Sequence, residues 1–209
     1  MKIAVVDYGL GNLRSVSKAL EHVAPEAEVV VTAEPGAISS SERVVVPGQG
    51  TLPDCMRQLE ASGAREAVVA AAARKPFLGI CIGLQMLFER GEEGDTAGLG
   101  VLPGRVPRFA LTGLKIPHIG WNEVHQAASH PLWNGIANGA RFYFVHSYYV
   151  EAGNPELVAA FTHYPFAFAC AVARNNIFAV QFHPEKSQAA GLKLLANFAE
   201  WSGKASNPV

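Results

Sequence analysis

A chain of 209 residues, 49% of them hydrophobic, is long enough to bury a sizeable core and fits one domain over residues 1–209. Charged residues make up 17%, the formal balance is −1 and no long run of Lys or Arg occurs, so a nucleic-acid partner is not expected. Three cysteines, Cys55, Cys81 and Cys170, do not make a disulfide framework and read as free thiols of a reducing compartment, the cytoplasm; no signal-peptide pattern follows Met1, and no apolar stretch is long enough to span a membrane.

Ile3 to Val6 reads as a buried strand, Tyr8-Gly9-Leu10-Gly11-Asn12 as a glycine-rich turn and Leu13 to His22 as an amphipathic helix. Val29 to Val31, Val44 to Val46 and Phe77 to Ile80 are further short β-rich runs, with helical patterns at Leu52 to Ala61 and Ala64 to Arg74 between the last two. This alternation predicts an α/β fold, flavodoxin-like, with a mostly parallel central sheet and flanking helices. Beyond about residue 100 come the strand-like runs Val106 to Phe109, Trp121 to His125, Arg141 to Val150, Leu157 to Phe161 and Phe168 to Phe182, a β-rich C-terminal half. Asn175-Asn176, residues that tolerate positive φ, mark a tight hairpin between Ala169 to Ala173 and Ile177 to Gln181. A helix from about Gln188 to Trp201 follows, and the polar tail Ser202 to Val209 reads as loose.

The chemistry concentrates where an apolar strand meets a helix through Gly79-Ile80-Cys81-Ile82-Gly83. A sharp strand-to-helix turn needs small residues on either side of a nucleophile, and it leaves that side chain exposed at the carboxyl edge of the sheet. It also sets Cys81 at a helix N-terminus, where free N–H groups and the dipole favour a thiolate and a neighbouring oxyanion. A buried cysteine in an apolar run is ordinarily just a small hydrophobe, as Cys55 and Cys170 are read to be; the flanking glycines set Cys81 apart.

A thiolate nucleophile needs a base, and the base an orienting group. His183-Pro184-Glu185 offers both, because His183 ends a strand and Glu185 can accept from the far imidazole nitrogen. Alone, such a triplet is more often a surface turn. Pro47-Gly48-Gln49-Gly50, directly after Val44 to Val46, lets backbone N–H groups approach an oxyanion with no Cβ in the way. His22, His125, His130 and His163 read as solvated or satisfied histidines, and His118 and His146 stay open. No His or Cys spacing resembles a zinc site, so neither a metal nor a cofactor is expected.

These motifs resemble the triad glutamine amidotransferases, which share the Gly-x-Cys-x-Gly elbow, the His-Pro-Glu triplet and the Pro-Gly-x-Gly strand. Tyr8 to Leu13, Pro117-His-Ile-Gly-Trp-Asn122, Phe144-Val-His-Ser-Tyr148 and His183 to Ser187 are similar to the glutaminase branch of that family that serves histidine biosynthesis, so the resemblance runs over nearly the whole chain. It implies that Cys81 attacks the carboxamide of glutamine, that His183 is base and acid, and that Glu185 holds it. It places the oxyanion between the Ile82 N–H and the strand of Gly48, Gln49 and Gly50, and glutamine against Gln85 and the His146, Ser147 and Tyr148 backbone. It also implies a heterodimer with a cyclase subunit built as a (β/α)₈ barrel, contacted through Asn12, Trp121, Asn122 and Lys186. Gln49 departs from the family, many of whose members carry a small aliphatic residue there. Other thiol hydrolases on flavodoxin-like sheets, a non-catalytic subunit, and a glutaminase serving another synthase are the competing readings.

Overall fold

The computed structural model describes residues 1–110, 114–164 and 166–204; from residue 205 on, the expected loose tail lies outside the described residues. The first half alternates as β1 (Lys2–Val6), α1 (Leu13–Val23), β2 (Glu28–Thr32), α2 (Pro35–Ser40), β3 (Arg43–Gly48), α3 (Leu52–Ala61), α4 (Arg65–Arg74), β4 (Phe77–Cys81) and α5 (Ile82–Gln85). There follow β5 (Arg90–Gly91), β6 (Thr96–Ala97), β7 (Gly104–Val106), β8 (His118–Gln126), β9 (Ala140–His146), β10 (Glu151–Ala152), β11 (Val158–His163), β12 (Ala167–Arg174), β13 (Ile177–Val180) and α6 (Gln188–Glu200).

Nine strands form the central sheet in the order β2-β1-β3-β4-β13-β12-β11-β8-β9. The neighbours from β2 to β13 run parallel, and those from β13 to β9 antiparallel. The α/β expectation therefore holds, with the parallel part confined to five strands. β3, β4 and β13 are buried almost throughout, as strands covered on both faces must be, which is why they read as unbroken apolar runs. In β9 the buried Phe142, Phe144 and His146 alternate with more exposed residues, the pattern of a strand with one wet face. Around the sheet α1 packs on α6 and α2 on α4.

Several boundaries differ from the sequence reading. The Arg141 to Val150 run leaves its ladder at His146, because Ser147 O accepts from Phe109 N (3.1 Å) and Tyr149 N donates to Pro107 O (3.0 Å). The run expected at Val106 to Phe109 is in strand only up to Val106. Helix α2 lies outside the sequence expectation; its Pro35 suits the first turn of a helix, where the missing N–H costs no bond. A second sheet, β10-β7-β5-β6, consists of two- and three-residue strands too short to show a period. The hairpin at Asn175-Asn176 is present, with Arg174 paired to Ile177 and Asn175 at φ 52°.

Candidate active site

Strand register brings the expected residues to one edge. In the parallel ladders Gly48 lies opposite Cys81, and Val180 opposite Ile80, so the chain leaving β13 reaches Gln181 and His183 on the side where Cys81 ends β4. Cys81 itself is left-handed, at φ 56° and ψ −109°, an uncommon conformation for a non-glycine residue and one that clusters at functional sites.

The glycines around it are steric necessities. A Cβ on Gly79 would lie 2.7 Å from Gly83 O, one on Gly83 1.9 Å from Val46 O, and one on Gly48 2.6 Å from Ile82 Cβ. Two expectations need correction. The helix after the elbow is a single turn, so its contribution is free N–H groups more than a long dipole. Nor does the thiol stand exposed: Cys81 is only 4% accessible, because the end of β9 covers it, with the sulfur 3.9 Å from Val145 O.

His183 Nδ1 lies 3.0 Å from Glu185 Oε1, and both side chains are buried. The same Oε1 accepts from Asn12 Nδ2 at 3.3 Å. The His183 backbone is fixed on both sides: its N–H donates to Tyr143 O (2.9 Å), and its carbonyl accepts from the Ser187 hydroxyl (2.6 Å). Among the described residues its Nε2 has no hydrogen-bond partner, which leaves that nitrogen available to the reacting atoms. Burial disfavours the charge on His183, but attraction from the neighbouring Cys81 sulfur, helped by Glu185, prevails and raises its pKa to about 10. A ring whose proton is favoured by these neighbours is suited to pairing with a sulfur nucleophile and to giving a proton to a leaving amine.

Cys81, His183, Gln85, Gln49, Gly50 and Ile82 share a cavity of about 290 Å³, closed on another side by Val145, His146, Ser147 and Tyr148. Gly48 is set back from it, pressed against the elbow. Gln85 is buried, its Nε2 donating to Gln181 Oε1 (3.0 Å) and to Tyr148 O (3.3 Å). Beneath the Pro-Gly-Gln-Gly strand the Tyr8 hydroxyl, whose pKa burial drives upward, donates to Pro47 O at 2.6 Å, and the Cys55 thiol lies 3.5 Å from Gln49 O.

The sequence reading missed four residues here. Glu93 and Pro117 also line the cavity, Tyr8 braces the strand, and Gln181 Nε2 approaches the Cys81 sulfur at 3.7 Å. Gln181 left a positional signal, as the residue two before His183 at the end of a buried strand, and Tyr8 and Pro117 open motifs that carry the resemblance, where no site role was given to them; Glu93 left none. The four residues expected at a partner contact divide. Trp121 and Lys186 are exposed; Asn12 and Asn122 are half-buried and make internal hydrogen bonds, Asn12 to Glu185 and Asn122 to His163 O. Among the described residues no three His, Cys, Asp or Glu side chains gather as metal ligands, and no helix is long and apolar enough to cross a membrane.

Comparison with known proteins gives consistent matches. The model of the class-I glutamine amidotransferase family matches residues 4–201. The imidazole glycerol phosphate synthase subunit HisH of Thiobacillus denitrificans is 64% identical over 208 residues, covering 96% of this chain and 91% of that protein. Its counterpart of the same name in Nitrosospira multiformis is 63% identical over 207 residues, covering 95% and 97%. Among solved structures, PurLQS from Thermotoga maritima superposes with a TM-score of 0.73 at 20% identity over 95% of this chain and 97% of that one. A glutamine amidotransferase from the same organism gives 0.61 at 16% over 88% and 76%. At these identities the solved structures speak for the fold alone.

Proposed function

The chain belongs to the class-I glutamine amidotransferase family, and we propose that it is the glutaminase subunit of an imidazole glycerol phosphate synthase of histidine biosynthesis, with Cys81, His183 and Glu185 as its triad. The observation that carries the reading is the meeting of Cys81 and His183 in one cavity, with Glu185 on the far imidazole nitrogen.

The Cys81 thiolate attacks the carboxamide carbon of glutamine. The oxygen of the tetrahedral intermediate is met by the Ile82 N–H and by an N–H of the Gly48 to Gly50 strand, donors aimed at charge that develops only there. As the C–N bond breaks, the His183 imidazolium gives its proton to the departing nitrogen, so ammonia leaves and a thioester remains. Water then attacks the thioester, His183 takes its proton, and glutamate is released with the thiolate restored. Glu185 keeps the imidazole oriented and stabilises its charge. Gln85 and the His146 to Tyr148 backbone hold the substrate.

Ammonia passes to a (β/α)₈-barrel cyclase subunit, which carries out the lyase step. The chain acts as one domain in the cytoplasm and pairs through the surface around Trp121, Asn122, Asn12 and Lys186. Exposed Trp121 supports that surface, since tryptophan is enriched among the residues that anchor interfaces, and exposed Lys186 directly follows Glu185 of the site. The cyclase and its nucleotide ligand act on the Gly48 to Gly50 strand. The expected outcome is a turnover number that rises on addition of the liganded cyclase far more than the Michaelis constant for glutamine falls. Equal turnover in the isolated chain and the liganded complex, or Trp121→Ala and Lys186→Ala variants that associate and respond as the parent does, would refute the coupling and the surface.

A further inference from the structure

Two buried histidines outside the triad are joined ring to ring. His118 Nδ1 lies 2.9 Å from His146 Nε2, while His146 Nδ1 lies 2.7 Å from Tyr148 O and His118 Nε2 lies 3.2 Å from Asn122 Nδ2. Each end of this row is chemically fixed. Tyr148 O can only accept, so His146 Nδ1 carries the proton. Asn122 Oδ1 accepts from Glu123 N (2.8 Å) and its Nδ2 donates to His163 O (2.9 Å), so the group facing His118 is a donor. Burial lowers the pKa of His118 to about 4 and of His146 to about 3, keeping both rings neutral with one N–H each. A single arrangement satisfies every contact: Asn122 donates to His118 Nε2, His118 Nδ1 to His146 Nε2, and His146 Nδ1 to Tyr148 O.

The far end of the row meets the cavity. Gln85 Nε2 donates to Tyr148 O and to Gln181 Oε1, both acceptors, so the Gln85 amide cannot turn over without setting oxygen against oxygen. Gln85 Oε1 is left buried beside Cys81 and His183 with no partner among the described residues. A buried unpaired acceptor is costly unless a ligand donor meets it, and glutamine brings N–H groups.

We infer that His118 and His146 are positioning residues of the glutamine pocket: their one-directional hydrogen-bond chain, running from Asn122 to the Tyr148 carbonyl, fixes the end of β9 and the Gln85 amide so that Gln85 Oε1 is the acceptor for a substrate N–H. This rests on the glutaminase reading. It gives Asn122 an internal role beside its place at the proposed partner surface, and it explains a His-His contact that the triad does not use.

Two measurements test it. In the ¹⁵N-labelled full chain at neutral pH, both rings are expected in the Nδ1–H tautomer, the minority form of free histidine; either ring found as Nε2–H or as imidazolium overturns the chain. The second measurement compares two variants in the complex with the cyclase subunit. His118→Phe keeps the ring stacked between Phe144 and Tyr164 but removes the donor, whereas His118→Asn loses the stack and keeps an amide N–H near the position of Nδ1. His118→Phe is expected to raise the KM for glutamine about fivefold, the worth of one neutral hydrogen bond, with a smaller change in kcat. His118→Asn should stay nearer the parent. A purely packing role predicts the opposite order, and observing that order overturns the inference. If the parent complex itself releases no ammonia from glutamine, the glutaminase reading fails, while the tautomer measurement still judges the chain.

Discussion

Within the proposed triad, Glu185 Oε1 receives two groups at once, His183 Nδ1 at 3.0 Å and the Asn12 amide at 3.3 Å, so the carboxylate is itself held in place by the residue before α1. A graded series of losses follows. His183→Ala removes the proton carrier and should lower glutamine turnover by about 10² to 10⁴. Glu185→Gln keeps the side chain's shape and should cost less, and Asn12→Ala less still, because the carboxylate stays. Steady-state ammonia release from the three purified variants checks the order; a Glu185→Gln enzyme equal to the parent removes Glu185 from the triad. His183 and Glu185 were legible because they are two residues apart, and Cys81 because its glycines flank it. The Gln181 contact to Cys81 and the Asn12 contact to Glu185 span 100 and 173 residues, and no local pattern announces them.

The elbow works through glycines at three positions on two strands and a turn. Gly83→Ala would drive a methyl to 1.9 Å from Val46 O, where backbone and not a flexible side chain must move. An overpacking cost of about 1–3 kcal/mol or more is expected, or a fall in Tm of about 2–4 °C for each kcal/mol in a chain of this size. Gly36→Ala, by contrast, lies within α2 with nothing near its new Cβ and should raise Tm slightly, since alanine favours helix by about 0.5–1 kcal/mol. Calorimetry on the two variants checks both directions, and a Gly83→Ala protein as stable as the parent would contradict the tight elbow. The parallel strands were readable as apolar runs of regular spacing, and α3 and α4 from their helical periodicity. Helix α2 and the small sheet β10-β7-β5-β6 were not, because six residues or fewer carry no period and their pairing partners are distant.

Across the whole molecule, the charge state of buried histidines sets the acid limit. Burial lowers the pKa of His118 and His130 to about 4 and of His146 to about 3. Above the ordinary value of 6.5 these rings are neutral in both folded and unfolded chains and contribute nothing to a pH dependence. Below it the unfolded chain takes up protons that the folded one refuses, so stability falls as pH drops from 6.5 toward the folded values, by up to about 1.4 kcal/mol per pH unit for each histidine. His183 has the opposite sign: its raised pKa contributes stability in full below 6.5, and that contribution is lost as pH rises through about 10. Denaturant titrations between neutral pH and pH 4 should show the acid loss, reduced when His130, which the proposed site does not use, is replaced by a neutral residue. A flat profile would mean that these rings are protonated in the fold.

The triad assignment is tested most directly by acid-quenching the protein with glutamine during turnover and analysing the Cys81 peptide by mass spectrometry. A glutamyl thioester on Cys81 is expected, absent from Cys55 and Cys170 and absent altogether in Cys81→Ser. Glutamine hydrolysis that persists in Cys81→Ser, or an adduct on a different residue, would contradict the account.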